Sequence, residues 1–259
     1  MYLLISGATG HIGSCLSRAC NKKNIKTILL TRSEKKKNFL KSQFKKCIVL
    51  TNHQLKKCRL NISTIIHTAS LNDKDTNSSK GALEKNLNIT TKLFRDINTK
   101  NLKKIIYLSS AQVYGSNLIG KVKEDKYLSP NNNYGVSRYI NEIFLEKYAE
   151  KFEKNLIILR ISNVVGVPAI YNKSCFRLLP NDLKRQSEQT GELNLRSSGL
   201  QFRNFISMNF LIESILKFRK KRIKGTLIFN LGGINIRIIN FVKQFAKNYK
   251  LKKNKILKI

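Results

Sequence analysis

Acidic residues are scarce in this chain. Only 15 Asp and Glu stand against 50 Lys and Arg in 259 residues, a formal net charge of +35. A field of that sign favours polyanionic company: nucleic acid, an anionic membrane surface or phosphorylated small molecules. The basic residues are spread along the chain (Lys22, Lys35, Lys56, Lys103, Lys151, Lys220, Lys252) and form no stripe. Lys, Asn and Ile dominate together, so drift in composition is the favoured reading. A dedicated nucleic-acid surface is the less favoured one, and the charge does not exclude it.

Cysteines are few and odd in number: Cys15, Cys20, Cys47, Cys58 and Cys175, with no C-x-x-C among them. They imply neither a disulfide framework nor a zinc site, so no metal is expected. Reduced thiols in a cytoplasmic protein are the expectation, with the cysteines as small apolar fillers. Long apolar runs are also missing. Met1 leads straight into Tyr2–Ser6, a strand-length run with no basic region before it and Gly7 after it. That run is too short for a signal peptide or a membrane span. No internal repeat is found. A hydrophobic fraction of 41% suffices for one α/β domain, or one domain plus a small lobe.

What is present alternates. Short β-rich runs occur at Leu3–Ser6, Lys26–Thr31, Cys47–Leu50, Thr64–His67, Lys104–Leu108 and Asn155–Leu159. Between them, apolar residues recur at helical spacing: Ile12, Leu16, Ala19 and Cys20, then Leu87, Thr91, Phe94 and Ile97. Strands alternating with helices predict a doubly wound parallel sheet covered on both faces. Residues 132–152 read as one long helix with Ile140, Ile143, Phe144 and Tyr148 as its apolar positions. After Gly166 the texture changes, with Pro168, Pro180 and short apolar runs. Strands are expected at Glu192–Arg196 and Thr226–Asn230, and helices at Phe210–Arg219 and Ile239–Tyr249. The division expected is a dinucleotide-binding domain over 1–166 and a smaller, partly interleaved substrate region over 167–259.

Gly7-Ala8-Thr9-Gly10-His11-Ile12-Gly13 lies between the first strand and the first helix. The string alone is a weak signal; its placement makes it a dinucleotide fingerprint. Gly7 permits the tight turn, Gly10 lets backbone approach a pyrophosphate, and Gly13 lets helix and strand pack closely. Phosphates would then meet unpaired N–H groups at the positive end of a helix. His11 reads as a helix-start residue near phosphate. Thr31-Arg32-Ser33 closes the second strand and holds no carboxylate to accept from a ribose 2′-hydroxyl. A guanidinium there suits a 2′-phosphate, which tilts the cofactor toward NADP over NAD.

Further segments, in order, resemble the extended short-chain dehydrogenase/reductases, specifically the NAD-dependent epimerase/dehydratase family and its sugar-nucleotide branch. Ile65-Ile66-His67-Thr68-Ala69-Ser70 resembles the strand that ends under the cofactor. Asn86-Leu87-Asn88-Ile89-Thr90 is similar to N-V-x-G-T, with Ile89 where Gly is usual. Ser109-Ser110-Ala111-Gln112-Val113-Tyr114-Gly115 resembles S-S-x-x-V-Y-G. Pro130, Tyr134-Gly135-Val136-Ser137-Arg138 and Glu142 resemble P-x-x-x-Y-G-x-S-K-x-x-x-E. Leu159-Arg160 with Asn163 and Gly166 is similar to L-R-x-x-N-x-x-G. Gly199, Gln201 and Arg203-Asn204-Phe205-Ile206 resemble G-x-Q-x-R-D-F-I, and Gly225 through Gly232 resembles G-x-x-x-N-x-G with one extra residue.

The resemblance implies a Rossmann-type fold, a nicotinamide cofactor, a nucleotide-sugar substrate and a homodimer formed through the helices that begin near Asn86 and Tyr134. It implies hydride transfer at a sugar carbon, with Tyr134 as general acid/base and Ser110 bonded to the same substrate oxygen. Thr68, Ala69, Asn86, Tyr134 and Arg138 join Gly7, Thr9, Gly10, His11, Ile12, Gly13, Arg32 and Ser33 as expected cofactor contacts. Asn163 and Arg203 are expected on the substrate diphosphate. His67 is expected as a packed core residue. Two departures stand out: Arg138 occupies the family's lysine position, and Ser207-Met208-Asn209 replaces V-D-D. Arginine and lysine are not interchangeable, so an impaired dinucleotide-binding protein is the alternative to an active enzyme. Dehydratases of the family place acids where Ala111 and Gln112 stand, which argues against dehydration; reductases of the family consume NADPH while its epimerases retain NAD, so Arg32 tilts the resemblance toward a 4-keto-sugar reductase over an epimerase, in a setting such as polysaccharide synthesis.

Overall fold

The computed structural model describes residues 1–115, 118, 120–170 and 178–253. Seven strands form one parallel sheet: β1 (Tyr2–Ser6), β2 (Thr27–Thr31), β3 (Ile48–Thr51), β4 (Ile62–His67), β5 (Lys104–Ser110), β6 (Asn155–Ile161) and β9 (Thr226–Leu231), in the order β3-β2-β1-β4-β5-β6-β9. The chain runs outward from β1 to β3, then returns to lay β4 on the other side of β1. Parallel strands end on one edge, and the reversal between β1 and β4 opens a crevice at that edge.

Both faces are covered, so the strands are apolar throughout. One core joins Ile5, Leu29, Ile66 and Ile106 to Leu16 of α1 (His11–Lys22), Leu40 of α2 (Glu34–Gln43) and Leu211 and Ile215 of α8 (Met208–Lys220). The other joins Leu4, Ile28, Ile65 and Ile105 to Leu55 of α3 (Asn52–Lys56), Phe94 of α5 (Ala82–Asp96) and Leu145 of α6 (Asn133–Lys151). A short helix, α4 (Asp73–Ser78), precedes α5.

A second sheet holds β7 (Asn163–Val165), β8 (Phe202–Ser207) and β10 (Ile234–Arg237) in the order β10-β8-β7. Beside it, α7 (Leu179–Gln189) and α9 (Ile238–Lys253) enclose a small core of Leu183, Leu193 and Val242. Thr226–Leu231 is a strand as expected, and it pairs with β6 in the main sheet. Glu192–Arg196 is not a strand: Glu192 makes an isolated bridge, and the segment otherwise runs irregularly across α7. Gln186 takes its backbone partners, with the Asn194 N–H donating to Oε1 at 2.6 Å. Cys15, Cys20 and Cys47 are buried and free, and burial pushes the Cys20 and Cys47 thiols up to about 11. Cys175 lies outside the described residues. No described helix is long and apolar enough to cross a membrane.

Candidate active site at the strand ends

The glycine turn is built as a cradle. Gly7 has φ +73°, and an added Cβ would sit 2.7 Å from the Ala69 nitrogen. A Cβ on Gly13 would fall 2.1 Å from the Gly7 carbonyl oxygen, so this glycine lets α1 press on the turn. Gly10 differs. Its Cβ would meet only the Gly7 oxygen, at 3.2 Å, and otherwise enters open space. Gly10 is the N-cap of α1, with no side chain capping the helix and no acidic residue in its first turn. The first amides of α1 are therefore offered outward to an anion. Thr9 and Ile12 flank the turn half-buried. Thr68 fixes the neighbouring strand end, donating from Oγ1 to the Ser6 carbonyl at 2.7 Å, while the Thr68 N–H donates to Ser6 Oγ at 3.2 Å. These residues fit a dinucleotide: the open side of Gly10 would take its pyrophosphate.

His11 is turned the other way. Its Nε2 bonds the Gly166 carbonyl at 2.7 Å, so that nitrogen carries the hydrogen. Burial holds its pKa below the ordinary value, against the pull of that bond. Cys15 Sγ donates to the Val167 carbonyl and Ser14 Oγ accepts from the Ala169 N–H, fastening α1 to the same run. Arg32 is exposed at the end of β2, and Ser33 caps α2 by accepting from the Lys36 N–H. The nearby carboxylate of Glu34 pairs with Lys37 at 3.0 Å.

Across the crevice, β5 ends in Ser109 and Ser110. Ser110 Oγ caps a 3-10 turn over Ala111–Tyr114 by accepting from the Gln112 N–H at 3.2 Å. The start of α6 lies directly on this turn. A Cβ on Gly135 would sit 2.7 Å from the Gln112 carbonyl oxygen, and Asn132, the N-cap of α6, donates to Gln112 Oε1 at 3.1 Å. The helix start that carries Tyr134 is thereby packed on the turn that follows Ser110. Gln112 is spent on Asn132, and Ala111 offers no proton, so neither position carries an acid.

Arg138 stands one helical turn after Tyr134 and is 7% exposed. Its Nη2 donates to the Tyr134 hydroxyl at 2.9 Å, with the guanidinium carbon 4.8 Å from that ring's centroid. Nη1 donates to the Leu108 carbonyl at 3.1 Å and the Tyr107 hydroxyl at 3.4 Å. Nε is buried without a partner. Burial works against its charge; the two phenols outweigh that, and the guanidinium stays protonated.

Asn86 is buried, and its whole amide is engaged. Oδ1 accepts from Ser70 Oγ and the Leu71 N–H, and Nδ2 donates to Ser137 Oγ at 2.9 Å. It bears on the crevice by tying the loop after β4 to α6. His67 is fully buried between Ser6 Oγ and Thr90 Oγ1, at 2.6 and 2.9 Å, and burial takes its pKa down to about 3. It is a core residue. In the small sheet, Asn163 Nδ2 donates to the Asn204 carbonyl at 2.9 Å, beside the exposed Arg203 on β8. Both expected diphosphate contacts thus lie together on one sheet, although the Asn163 amide already holds a strand.

The sequence did not single out the supports of this site. Glu142 accepts from Arg160 Nε and Nη2, at 3.1 and 2.8 Å to one oxygen, and from Ser109 Oγ. Arg160 also donates to the Tyr114 hydroxyl and the Glu124 carbonyl, at 2.8 and 2.9 Å. Tyr114 in turn donates to Asn230 Oδ1 at 2.8 Å. Glu142 and Arg160 do fall inside the quoted motifs. An opposite-charge pair embedded in otherwise apolar segments was the available signal.

The NAD dependent epimerase/dehydratase family matches residues 3–232. The chain belongs to that family. A dTDP-D-glucose 4,6-dehydratase of Dictyostelium discoideum is 27% identical over 89% of this chain and 58% of its own length. The human dTDP-D-glucose 4,6-dehydratase is 29% identical over 56% of this chain and 40% of its own. The chain therefore spans about half the length of the curated relatives it matches. Among solved structures, a UDP-glucuronic acid 4-epimerase from Bacillus cereus, in complex with UDP-glucuronic acid and NAD, superposes with a TM-score of 0.80 at 23% identity, covering 100% of this chain and 85% of that one. A dTDP-glucose 4,6-dehydratase from Streptomyces venezuelae with NAD bound gives 0.81 at 18% identity, covering 100% and 84%. These likenesses show a shared epimerase/dehydratase fold.

Proposed function

We propose that this epimerase/dehydratase family member is an oxidoreductase or epimerase of nucleotide sugars, tilted toward reduction of a 4-keto sugar. The observation that carries the reading is the Tyr134 hydroxyl, which accepts from the permanently charged Arg138 guanidinium at 2.9 Å, at the start of the helix that packs on the turn after Ser110. A bound nicotinamide dinucleotide supplies the hydride chemistry. The chain's own part is the proton. Tyr134 gives it to a carbonyl oxygen as that oxygen becomes an alkoxide, or takes it from a hydroxyl in the reverse direction. Arg138 holds the negative charge this leaves on the phenol oxygen. Ser110 offers a second hydrogen bond to the substrate oxygen. Gly7, Thr9, Gly10, Ile12 and Gly13 would hold the pyrophosphate, with His11 bracing the helix behind it. Thr68 and Ala69 would line the floor; Arg32 and Ser33 would face the adenosine end. Arg203, with Asn163 beside it, would meet the substrate diphosphate.

Dehydration is disfavoured by Ala111 and Gln112, although several relatives are dehydratases. A groove of about 830 Å³ between α5 and α6 is lined by Phe94, Phe144, Tyr148 and Phe152, and Ile140 and Ile143 are exposed on α6. This face suits a second copy of the chain.

The test is turnover of a panel of nucleotide sugars and their 4-keto forms with both cofactors. Tyr134→Phe should lower turnover by about 10²-fold or more while dinucleotide affinity holds. Silence across the panel, with intact dinucleotide binding, would favour the second reading, a dinucleotide-binding protein without catalysis. That reading is motivated by Arg138, whose Nη1 is directed at interior acceptors. Tight RNA or DNA binding with a steep salt slope would instead support a nucleic-acid role for the +35 charge.

A further inference from the structure

Arginine carries five N–H groups in a fixed planar fork, where lysine has three on one freely rotating ammonium. A guanidinium beneath Tyr134 can turn about its side chain and present any of several edges. The structure shows which edge is presented and what fixes it. Both hydrogens of Nη1 are taken from below, by the Leu108 carbonyl at 3.1 Å and the Tyr107 hydroxyl at 3.4 Å. Tyr107 is fully buried, stacked on His67 with ring centroids 5.6 Å apart, and cannot swing away. The guanidinium carbon lies 6.0 Å from the Tyr107 ring centroid. With Nη1 anchored, Nη2 is left to point at the Tyr134 hydroxyl.

We propose that Tyr107 is a positioning residue for the proton-transfer step: its hydroxyl helps anchor Nη1 of Arg138 and thereby aims Nη2 at Tyr134. Tyr107 touches neither substrate nor cofactor. Its hydroxyl is the acceptor that an arginine needs at this position and a lysine does not. The inference rests on Tyr134 as the acid/base. Its readouts use no turnover, so it can fail or stand apart from that reading.

The experiment is a double-substitution cycle read by ultraviolet titration of phenolate absorbance. Tyr134 is isolated by subtracting a matched Tyr134→Phe protein in each background. Tyr107→Phe keeps the ring and removes one oxygen. In the Arg138 chain it should raise the Tyr134 midpoint by about one pH unit. In the Arg138→Lys chain it should leave that midpoint unmoved. No movement with Arg138 present, or equal movement in both backgrounds, overturns the proposal. A second measurement needs no change at 107. With ¹⁵N-labelled arginine, and Arg138→Lys to assign the signals, rotation about the Cζ–Nη1 bond of Arg138 should be slow enough to resolve two Nη1 protons. A freely rotating Nη1 group overturns the proposal as well.

Discussion

Gly13 and Gly7 touch: the α-hydrogen of one occupies the space over the carbonyl of the other, where a Cβ would come within 2.1 Å. Gly10, three residues before Gly13, has that space free on its outer side. The two glycines therefore fail differently when replaced. Gly13→Ala should destabilise the fold by several kcal/mol, on the scale of core overpacking at about 1–3 kcal/mol or more. Gly10→Ala should leave thermal stability within about 1 kcal/mol, yet weaken NAD(H) or NADP(H) binding at least tenfold. Calorimetry and dinucleotide titration on both variants check this. Equal binding loss at equal stability loss would remove the distinction.

Arg32 is exposed at the end of β2, the position proposed to face the adenosine, and Glu34 pairs with Lys37. NADPH should bind more tightly than NADH, and Arg32→Ala should bring the two affinities together. A wild-type preference for NADH would end the NADP reading. Solved structures of the fold in complex with NAD make this the sharpest comparison available.

Glu142 and Arg160 are both almost fully buried. Removing one partner strands the other charge in the interior, a cost of about 3–5 kcal/mol. Glu142→Ala should lower unfolding free energy in urea by that amount. It should also loosen Ser109 and the turn that carries Ser110. A loss under about 1 kcal/mol would show that water reaches Arg160.

His67 makes stability depend on pH. Its pKa falls from 6.5 unfolded to about 3 folded, so the unfolded chain binds the extra proton between those values. Stability from this residue is full above pH 6.5 and is lost as pH drops toward 3, by at most about 1.4 kcal/mol per pH unit. Unfolding free energies from pH 7 to 4 should fall less steeply in His67→Asn than in the parent chain. Parallel slopes would mean that protonation is accommodated between Ser6 and Thr90.

The parts of this site read most easily were those whose chemistry is local. A glycine turn between a strand and a helix announces itself, whereas Tyr134 and Arg138 were reached only through the likeness to the family's Y-G-x-S-K motif. Counting apolar residues misled elsewhere. Of the four apolar positions expected on α6, Phe144 and Tyr148 pack against the core, yet Ile140 and Ile143 are 37% and 43% exposed, while Ser137, Arg138, Asn141 and Glu142 are buried. On α5 and its C-cap the expectation held for Phe94 and Ile97, which are buried, whereas Leu87 and Thr91 are half-buried and Asn86 and Thr90 are buried instead. Polar groups go inside when long-range partners satisfy them, and those partners sit on β4, β5 and β6, far away in sequence. The strand expected at Glu192–Arg196 failed for a related reason: Gln186 on α7 supplied the hydrogen bonds a neighbouring strand would have given.

The fastenings at the start of α1 have a mechanical consequence. His11, Ser14 and Cys15 each hold the stretch from Gly166 to Ala169. The turn proposed to seat the dinucleotide is thus tied, through α1, to the first residues of the proposed substrate region. A displacement of the residues after Ala169 would reach the glycine turn only by breaking these three bonds.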